Sequence, residues 1–204
     1  LGANPVVSRG SIMTAPDIGV RLEDLKQRGG KLVVVDPRRT ETSALATEHV
    51  FIRPGSDAAL LSALIHVIFV ENLAKPGRIE ELADGMAELR HHFADISVPQ
   101  AAASTGIEQE KIYRIAREFA AAPSAVCYGR IGVSIQAYGG LCQWLILVLN
   151  ATTGNLDRSG GAMFTRPAVD ILRYLTPGSF ARSHSRVRNL PRFSGEFPVA
   201  TLAD

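Results

Sequence analysis

Two aspartates stand where a carboxylate could bind a ligand, one at the end of an apolar run and the other after a glycine. Asp36 ends the apolar run Leu32–Val35, and Asp57 comes directly after Gly55 and Ser56 at the start of a long apolar stretch. A carboxylate at the end of a strand can accept both hydroxyls of a ribose. A carboxylate behind a glycine turn can accept the paired N–H donors of a guanine edge, because an ionised carboxylate only accepts hydrogen bonds. Taken singly, Asp36 is equally well explained as a turn residue, and Asp57 is better explained as a helix cap.

A turn near the start of the chain and a pair of arginines could serve phosphate groups. Gly2, Asn4 and Pro5 belong to a turn-like string whose backbone N–H groups could bind phosphate oxygens. Arg38 and Arg39 follow the first aspartate closely and could neutralise a diphosphate. The two arginines also fit a plain solvated surface. Only the occurrence of all these features in one chain favours a nucleotide.

The usual signatures of a self-sufficient active site are missing from the sequence. No G-x-G-x-x-G follows a strand and no G-x-x-x-x-G-K-[ST] is present, which argues against a common dinucleotide or P-loop site. No Ser or Cys stands in a nucleophile elbow, and no His, Asp or Glu set has metal-ligand spacing. We therefore predict neither a catalytic residue nor a metal ligand in this chain.

Composition narrows the class of protein. The 204 residues are 46% hydrophobic and 21% charged, which is typical of one folded domain or slightly more. Lys and Arg number 22 against 20 Asp and Glu, so nothing points to a nucleic-acid partner. The longest nearly apolar run, 58–70, is too short to span a bilayer. Cys127 and Cys142 are the only cysteines, so we predict buried apolar thiols rather than a disulfide framework or a zinc site. This cysteine usage also predicts a cytoplasmic location.

Secondary structure must bring the candidate residues together. Apolar residues at helical spacing predict helices, the clearest over 18–28, 57–73, 108–121 and 138–151, with shorter ones over 40–47, 79–83, 86–94 and 99–104. The apolar runs 31–36, 49–52 and 125–128 predict three short buried strands. This alternation indicates an α/β fold with a parallel sheet, and such sheets bind ligands at the carboxyl ends of their strands.

Both ends of the sequence are unusual. The chain starts at Leu1 without Met, in a string that reads as a strand end and its turn, so we expect a fragment of a longer protein. After Gly161 basic residues outnumber acidic ones, and turn residues break any periodicity. We therefore predict an irregular arginine-rich C-terminal extension. Its arginines are Arg166, Arg173, Arg182, Arg186, Arg188 and Arg192.

Several strings, in order, resemble the molybdopterin oxidoreductase family, which includes enzymes like formate dehydrogenase and nitrate reductase. Each string alone is weak, but their order and spacing make the resemblance specific over residues 1 to about 163. The strings are GANP at 2–5, LVVVDPRRTET at 32–42, IRPGSDAAL at 52–60, TGI at 105–107, GRIGVS at 129–134 and LNATTGNL at 149–156.

The resemblance implies a Rossmann-like domain, a parallel sheet with helices on both faces, over residues 1–134. In the family this domain binds the guanosine half of one molybdopterin guanine dinucleotide. Residues 135–204 would be a helix and an extended segment belonging to a neighbouring domain of the parent enzyme.

The resemblance also implies four cofactor-binding segments. The first would lie against the phosphates, the second near the ribose and guanine, the third would bind the guanine edge through its Asp, and the fourth would pass close to the pterin. Their residues are Gly2, Asn4, Pro5, Asp36, Pro37, Arg38, Gly55, Ser56, Asp57 and Gly132.

For the parent enzyme, the resemblance implies a cofactor with Mo or W and a 4Fe-4S cluster. The ligands of both metals would lie outside this fragment, which alone should be inactive. The implied partners are the remaining domains of the same chain and an electron-transfer subunit.

Two departures weaken an assignment to formate dehydrogenase itself. Many relatives carry Gln three residues after the glycine that corresponds to Gly132, whereas this chain has Ile135 there and Gln136 next. Formate dehydrogenases also carry Arg-Gly-Gln-Asn-Asn soon after the Thr-Gly-Asn-Leu string, where this chain has FTRP at 164–167. A less specialised member of the family fits equally well.

Two other classes of protein compete with this interpretation. One is a non-catalytic Rossmann-like nucleotide-binding module, such as the central domain of a thiamine-dependent enzyme. The other, a nicotinamide-dependent dehydrogenase, is disfavoured by the missing glycine fingerprint. A preference for guanine over adenine would separate the family interpretation from both.

Overall fold

The computed structural model describes residues 1–10, 15–164, 168, 183–192 and 197. The chain divides into two compact units, Leu1–Met163 and Phe164–Asp204. The helices and strands of the described residues all lie in the first unit. They are α1 (Pro5–Ser8), α2 (Ile18–Gln27), β1 (Val33–Val35), α3 (Glu41–Ala44), β2 (Glu48–Val50), α4 (Asp57–Val70), α5 (Ile79–Leu82), α6 (Met86–Ala94), α7 (Val98–Thr105), α8 (Gln109–Ala121), α9 (Ile131–Ser134) and α10 (Gly139–Thr152).

Strands β1 and β2 form a small parallel sheet. Their register pairs Val33 with Glu48 and Val35 with Val50, so two of the three predicted strands are confirmed in slightly shorter form. Parallel strands need a crossover connection, and α3 lies within it. The hydroxyl of Thr40 accepts a hydrogen bond from the Ser43 N–H and so caps this helix.

Backbone hydrogen bonds of Leu1 and Gly2 continue this sheet beyond β1. The Gly2 N–H donates to the Val35 carbonyl over 3.2 Å. The Leu1 nitrogen donates to the Tyr128 carbonyl over 2.8 Å, and the Leu1 carbonyl accepts from the Arg130 N–H over 3.3 Å. This alternation is the pattern of a parallel ladder. Leu1 and Gly2 therefore lie between β1 and the segment 128–130.

The third strand predicted over 125–128 is wrong, because the structure has no strand there. Side chains instead of a full neighbouring strand satisfy this backbone. The Asn155 Oδ1 atom accepts from the Ala125 N–H, and the Asn150 side chain bonds both the N–H and the carbonyl of Cys127. Within the described residues, Leu1 bonds the backbone of this segment at the Tyr128 carbonyl.

Helix α4 is the centre of the core. Its sequence is apolar on almost every side, and Leu61, Ile65 and Ile68 are fully buried. A helix that is apolar all round must be covered all round, and α6, α7, α8 and α10 pack against it. Burial of each large aliphatic side chain contributes about 1.5–3 kcal/mol, before the entropy of ordering it is subtracted.

The other predicted long helices are confirmed as α2, α8 and α10. Helix α8 buries Ile112, Ala116 and Ala120 and exposes its charged face, as its amphipathic sequence predicts. The single-turn helices α1 and α9 were not predicted, because one turn leaves no periodicity to recognise. No helix in the described part of the chain is long and apolar enough to cross a membrane.

Part of the predicted C-terminal extension can be described. Residues 183–192 form a tight antiparallel turn in which Ser185 and Arg192 donate backbone hydrogen bonds to Leu190 and Ser183. Arg186 and Arg188 lie in the turn between them. The predictions for Arg166, Arg173 and Arg182 concern residues outside the described ranges.

The structure thus confirms a mixed helical fold with a small parallel sheet, which is compatible with the predicted α/β class. The finer description as Rossmann-like and the division into domains 1–134 and 135–204 stay predictions.

Candidate functional site

Gly2 and Gly132 lie against each other with their backbones in contact. The Gly132 N–H donates to the Gly2 carbonyl over 3.0 Å. A Cβ atom on Gly132 would lie 2.8 Å from the Gly2 Cα, and one on Gly2, whose φ is +51°, would lie 2.8 Å from the Val133 nitrogen. These distances are too short for any side chain. Glycine at both positions joins the turn after Leu1 to the start of α9.

The Asn4 side chain connects α1 to α3. Its Oδ1 atom accepts from the Thr42 hydroxyl over 2.7 Å, and its Nδ2 atom donates to Glu41 over 2.8 Å. This last hydrogen bond is the main reason why the pKa of Glu41 lies below its ordinary value. Pro5 follows at the first position of α1, where a missing N–H is harmless. The Asn4 amide therefore fixes the turn, and within the described residues the backbone N–H groups of Ala3 and Asn4 have no acceptor.

Asp36 closes β1 with a short turn. Its Oδ1 atom accepts from the Arg38 N–H over 2.8 Å, while its own N–H donates to the Val50 carbonyl. The Asp36 Oδ2 atom has no hydrogen bond within the described residues. Pro37 and Arg38 are exposed beside it. One carboxylate oxygen and one guanidinium are thus available at this strand end.

The loop before α4 is held by Arg53. Its guanidinium donates to the carbonyls of Ala103 and Ser104, both over 2.7 Å, and so satisfies the end of α7. Ser56 stands at the N-cap position of α4 but makes no capping bond, because its hydroxyl donates to the Arg53 carbonyl over 2.6 Å. Gly55 takes a φ of +80°, which favours glycine.

Asp57 is buried at the first position of α4, with 7% of its surface exposed. The Gln136 Nε2 atom donates to the Asp57 Oδ2 atom over 2.9 Å. The Gln136 Oε1 atom is buried and has no hydrogen-bond partner among the residues that the structure describes. It faces the Gly55 turn, where a Cβ would lie 3.9 Å from it. A buried carboxylate with a single amide donor has capacity for further donors.

A groove of about 320 Å³ adjoins this pair. Its lining includes Ala58, the residue after Asp57, and Tyr138, two residues after Gln136. The lining contains neither Asp57 nor Gln136 itself.

Several candidate residues converge near the start of the chain. Burial lowers the pKa of the Leu1 amino group, and the negative charges of Asp57 and Asp36 oppose that shift. Both aspartates therefore lie within electrostatic range of one atom. Gln136 follows the end of α9 by two residues, so α9 links the glycine contact to Asp57.

Three residues that sequence reasoning did not assign to the site support it. Gln136 bonds Asp57, while Asn150 and Asn155 hold the segment 125–130. Asn150 is 1% exposed and lies in the LNATTGNL string that the family resemblance uses. The signal for this role in the sequence is a polar residue, Asn150, within an apolar helix.

The structure offers no metal site in the residues it describes, since no three His, Cys, Asp or Glu side chains are grouped suitably there. Cys127 and Cys142 are buried and unpaired, as predicted. Burial raises the pKa of Cys127 to about 11 and also raises that of Cys142. Neither thiol resembles a reactive nucleophile.

No protein-family profile matches the chain. The chain is similar to formate dehydrogenase H of Escherichia coli, at 32% identity over 158 residues, 77% of this chain and 21% of the relative. It is also similar to the thiosulfate reductase molybdopterin-containing subunit PhsA of Salmonella typhimurium, at 28% identity over 170 residues, 82% of this chain and 22% of the relative.

Among solved structures, the chain is similar to acetylene hydratase from Pelobacter acetylenicus. The TM-score is 0.62 at 30% sequence identity, covering 70% of this chain and 20% of that one. The chain spans no more than about a quarter of the length of the curated relatives it matches.

Proposed function

The chain belongs to the molybdopterin oxidoreductase family, and we propose that its first unit holds the guanosine end of a molybdopterin guanine dinucleotide. When bound in the parent enzyme, that cofactor supplies two-electron oxidation or reduction of a substrate. The residues of this chain bind and orient the cofactor. The ligands of Mo or W, and those of a 4Fe-4S cluster, lie outside this chain.

The pairing of Asp57 with Gln136 is the observation that carries this proposal. A guanine edge presents an N1–H and a 2-amino group side by side, and both need acceptors. The Gln136 amide orients the buried Asp57 carboxylate, which can then accept both N–H groups. Hydrogen bonds to a charged group in a dry site are strong. Adenine presents a ring acceptor at the same place and would face the carboxylate unfavourably.

The Gly2–Gly132 contact fits the diphosphate and the linkage toward the pterin. Because the two backbones touch, a ligand bound at the turn after Leu1 would lie beside the start of α9 as well. The backbone N–H groups of Ala3 and Asn4 would provide donors, and the exposed Arg38 would provide a counter-charge. Asp36, through its unused Oδ2 atom, would accept from the ribose hydroxyls.

We also propose that the sheet is Rossmann-like, with Leu1 and Gly2 in its middle. The backbone hydrogen bonds on both sides of these residues support this order, since Leu1 pairs with the segment 128–130 in the parallel sense and Gly2 bonds Val35 of β1. Asp36 and Gly2 then stand at the carboxyl ends of neighbouring strand positions, where such sheets bind nucleotides.

The outer face of α10 suggests where the rest of the parent chain packs. Leu141, Trp144 and Leu147 are between 43% and 49% exposed, and they lie on one side of the helix. We propose that other domains of the parent enzyme cover this face. An electron-transfer subunit and a cytoplasmic location stay predictions of the sequence.

Calorimetry on the 204-residue chain tests the function. We expect guanosine diphosphate to bind at least about tenfold more tightly than adenosine diphosphate, because the lost charge-assisted bonds cost about 1.5–3 kcal/mol. Asp57→Ala should abolish this preference, whereas Asp24→Ala, at an exposed position of α2, should keep it. Equal binding of the two nucleotides by the unaltered chain would contradict the proposal and favour a module without guanine specificity.

A further inference from the structure

The orientation of the Gln136 amide follows from its neighbour. Asp57 is a carboxylate and only accepts hydrogen bonds, so the Nε2 end of Gln136 must face it. The Oε1 end, which can only accept a hydrogen bond, therefore faces away from the carboxylate. Because the amide is planar, this acceptor lies a short distance to one side of the Asp57 Oδ2 atom.

The Gln136 Oε1 atom has no donor in the part of the chain that the structure describes, although it is buried. Buried polar atoms in folded proteins almost always have a partner. The nearby Gly55 turn brings no side chain toward it, and a Cβ there would only reach van der Waals distance. The atom is therefore a buried acceptor for which the described residues provide no donor.

A guanine edge has three N–H donors, one more than the two oxygens of a carboxylate can accept side by side. The Asp57 oxygens take the N1–H and one N–H of the 2-amino group, which leaves the second N–H of that amino group. When the 2-amino group pairs with the Oδ2 atom, this second N–H points to the side of the carboxylate on which Gln136 is bonded. Hypoxanthine keeps the N1–H but lacks the amino group, so comparing it with guanine isolates the contribution of the amino group.

We propose that Gln136 determines specificity for the 2-amino group of guanine: its Oε1 atom accepts the second amino N–H while its Nε2 atom positions the Asp57 carboxylate. This inference rests on the proposed guanosine site. It adds a residue that discriminates guanine from hypoxanthine, whereas Asp57 alone discriminates both from adenine.

Calorimetry with the diphosphates of guanosine, inosine and adenosine tests the inference on the 204-residue chain. For Gln136→Leu we expect guanosine diphosphate to bind about tenfold more weakly and inosine diphosphate less than about threefold more weakly. Gln136→Met, which keeps the length of the side chain, should behave in the same way and serves if the leucine variant unfolds. Gln109→Leu, the same change at an exposed position of α8, should leave all three affinities unchanged.

Two outcomes overturn the inference while leaving the guanosine site intact. Equal losses for the guanosine and inosine nucleotides would show that Gln136 only positions Asp57, and unchanged affinities would show that it plays no part. Failure of the site itself is seen separately, as equal binding of guanosine and adenosine diphosphates by the unaltered chain.

Discussion

Gly132 approaches Gly2 so closely that its N–H bonds the Gly2 carbonyl over 3.0 Å and its α-hydrogen faces the Gly2 Cα. The turn after Leu1 and helix α9 are therefore packed together, and Gln136 follows shortly after the end of α9. A side chain at this contact would force apart the two segments that the proposed site needs together.

Gly132→Ala should separate these segments. A Cβ there would meet backbone atoms at 2.8 Å, which cannot yield as a flexible side chain can. We expect a loss of about 1–3 kcal/mol in the free energy of unfolding, together with weaker binding of guanosine diphosphate. Denaturant unfolding and calorimetry measure the two effects. Gly140→Ala is the matched control, since a Cβ in this helix meets nothing within 4 Å, and it should leave stability unchanged or raise it.

Asn150→Leu should destabilise the first unit strongly. The Asn150 amide bonds the Cys127 N–H, the Cys127 carbonyl and the Ile146 carbonyl, and all of these are buried. Loss of the amide leaves the Cys127 groups unpaired, at a cost of about 2–4 kcal/mol. Asn150→Asp, which cannot donate to the carbonyls, should also be less stable. A thermal melt in which both variants match the unaltered chain would refute this role.

Asn150 also shows where sequence reasoning ends. The long helices and both strands follow from apolar periodicity, because burial imposes it. The segment 125–128 has the same apolar signal as a strand, yet the side chains of Asn150 and Asn155 satisfy much of its backbone. That arrangement depends on contacts 23 and 30 residues away, which no local pattern records.

The candidate site divides in a similar way. Asp36 and Asp57 could be proposed from their place after a strand and a glycine turn. Gln136 stood one position beyond the place where many relatives carry Gln, so spacing alone did not select it. Its bond to Asp57 depends on how α9 is seated against Gly2, which is a tertiary relationship.

Acid should weaken the ion-pair network around Glu48. Burial raises the pKa of Glu48, but the hydrogen bond and charge of Arg114 and the charge of Lys31 outweigh it, so this pKa lies below its ordinary value. The Arg114 guanidinium lies 2.6 Å from Glu48, and Lys31 lies 3.4 Å away. A lowered folded-state pKa stabilises above the unfolded value of about 4.3, and this stabilisation is lost as the pH falls through the folded value.

We therefore expect the free energy of unfolding to fall more steeply between about pH 5 and pH 3 in the unaltered chain than in Glu48→Gln. The variant should be less stable at neutral pH by about 1 kcal/mol, the usual scale for a partly exposed network. Glu23→Gln, at an exposed position of α2, should follow the unaltered curve. Parallel curves for all three chains would contradict the network's role.

The two cysteines should resist alkylation in the folded chain. Burial raises the pKa of Cys127 to about 11, and burial raises that of Cys142 above its ordinary value, with the charge of Asp57 adding to the effect. Little thiolate is present near neutral pH, and access is blocked. Mass spectrometry after iodoacetamide should find neither thiol modified until denaturant is added. Ser159→Cys, at an exposed position, should be modified in the folded chain and serves as the positive control.

The most direct test of the account is a crystal structure of this chain with guanosine diphosphate. We predict the guanine edge on the Asp57 carboxylate, the ribose near Asp36 and the diphosphate beside the Gly2–Gly132 contact. A complex with the base bound elsewhere, leaving Asp57 bonded to Gln136 alone, would contradict it.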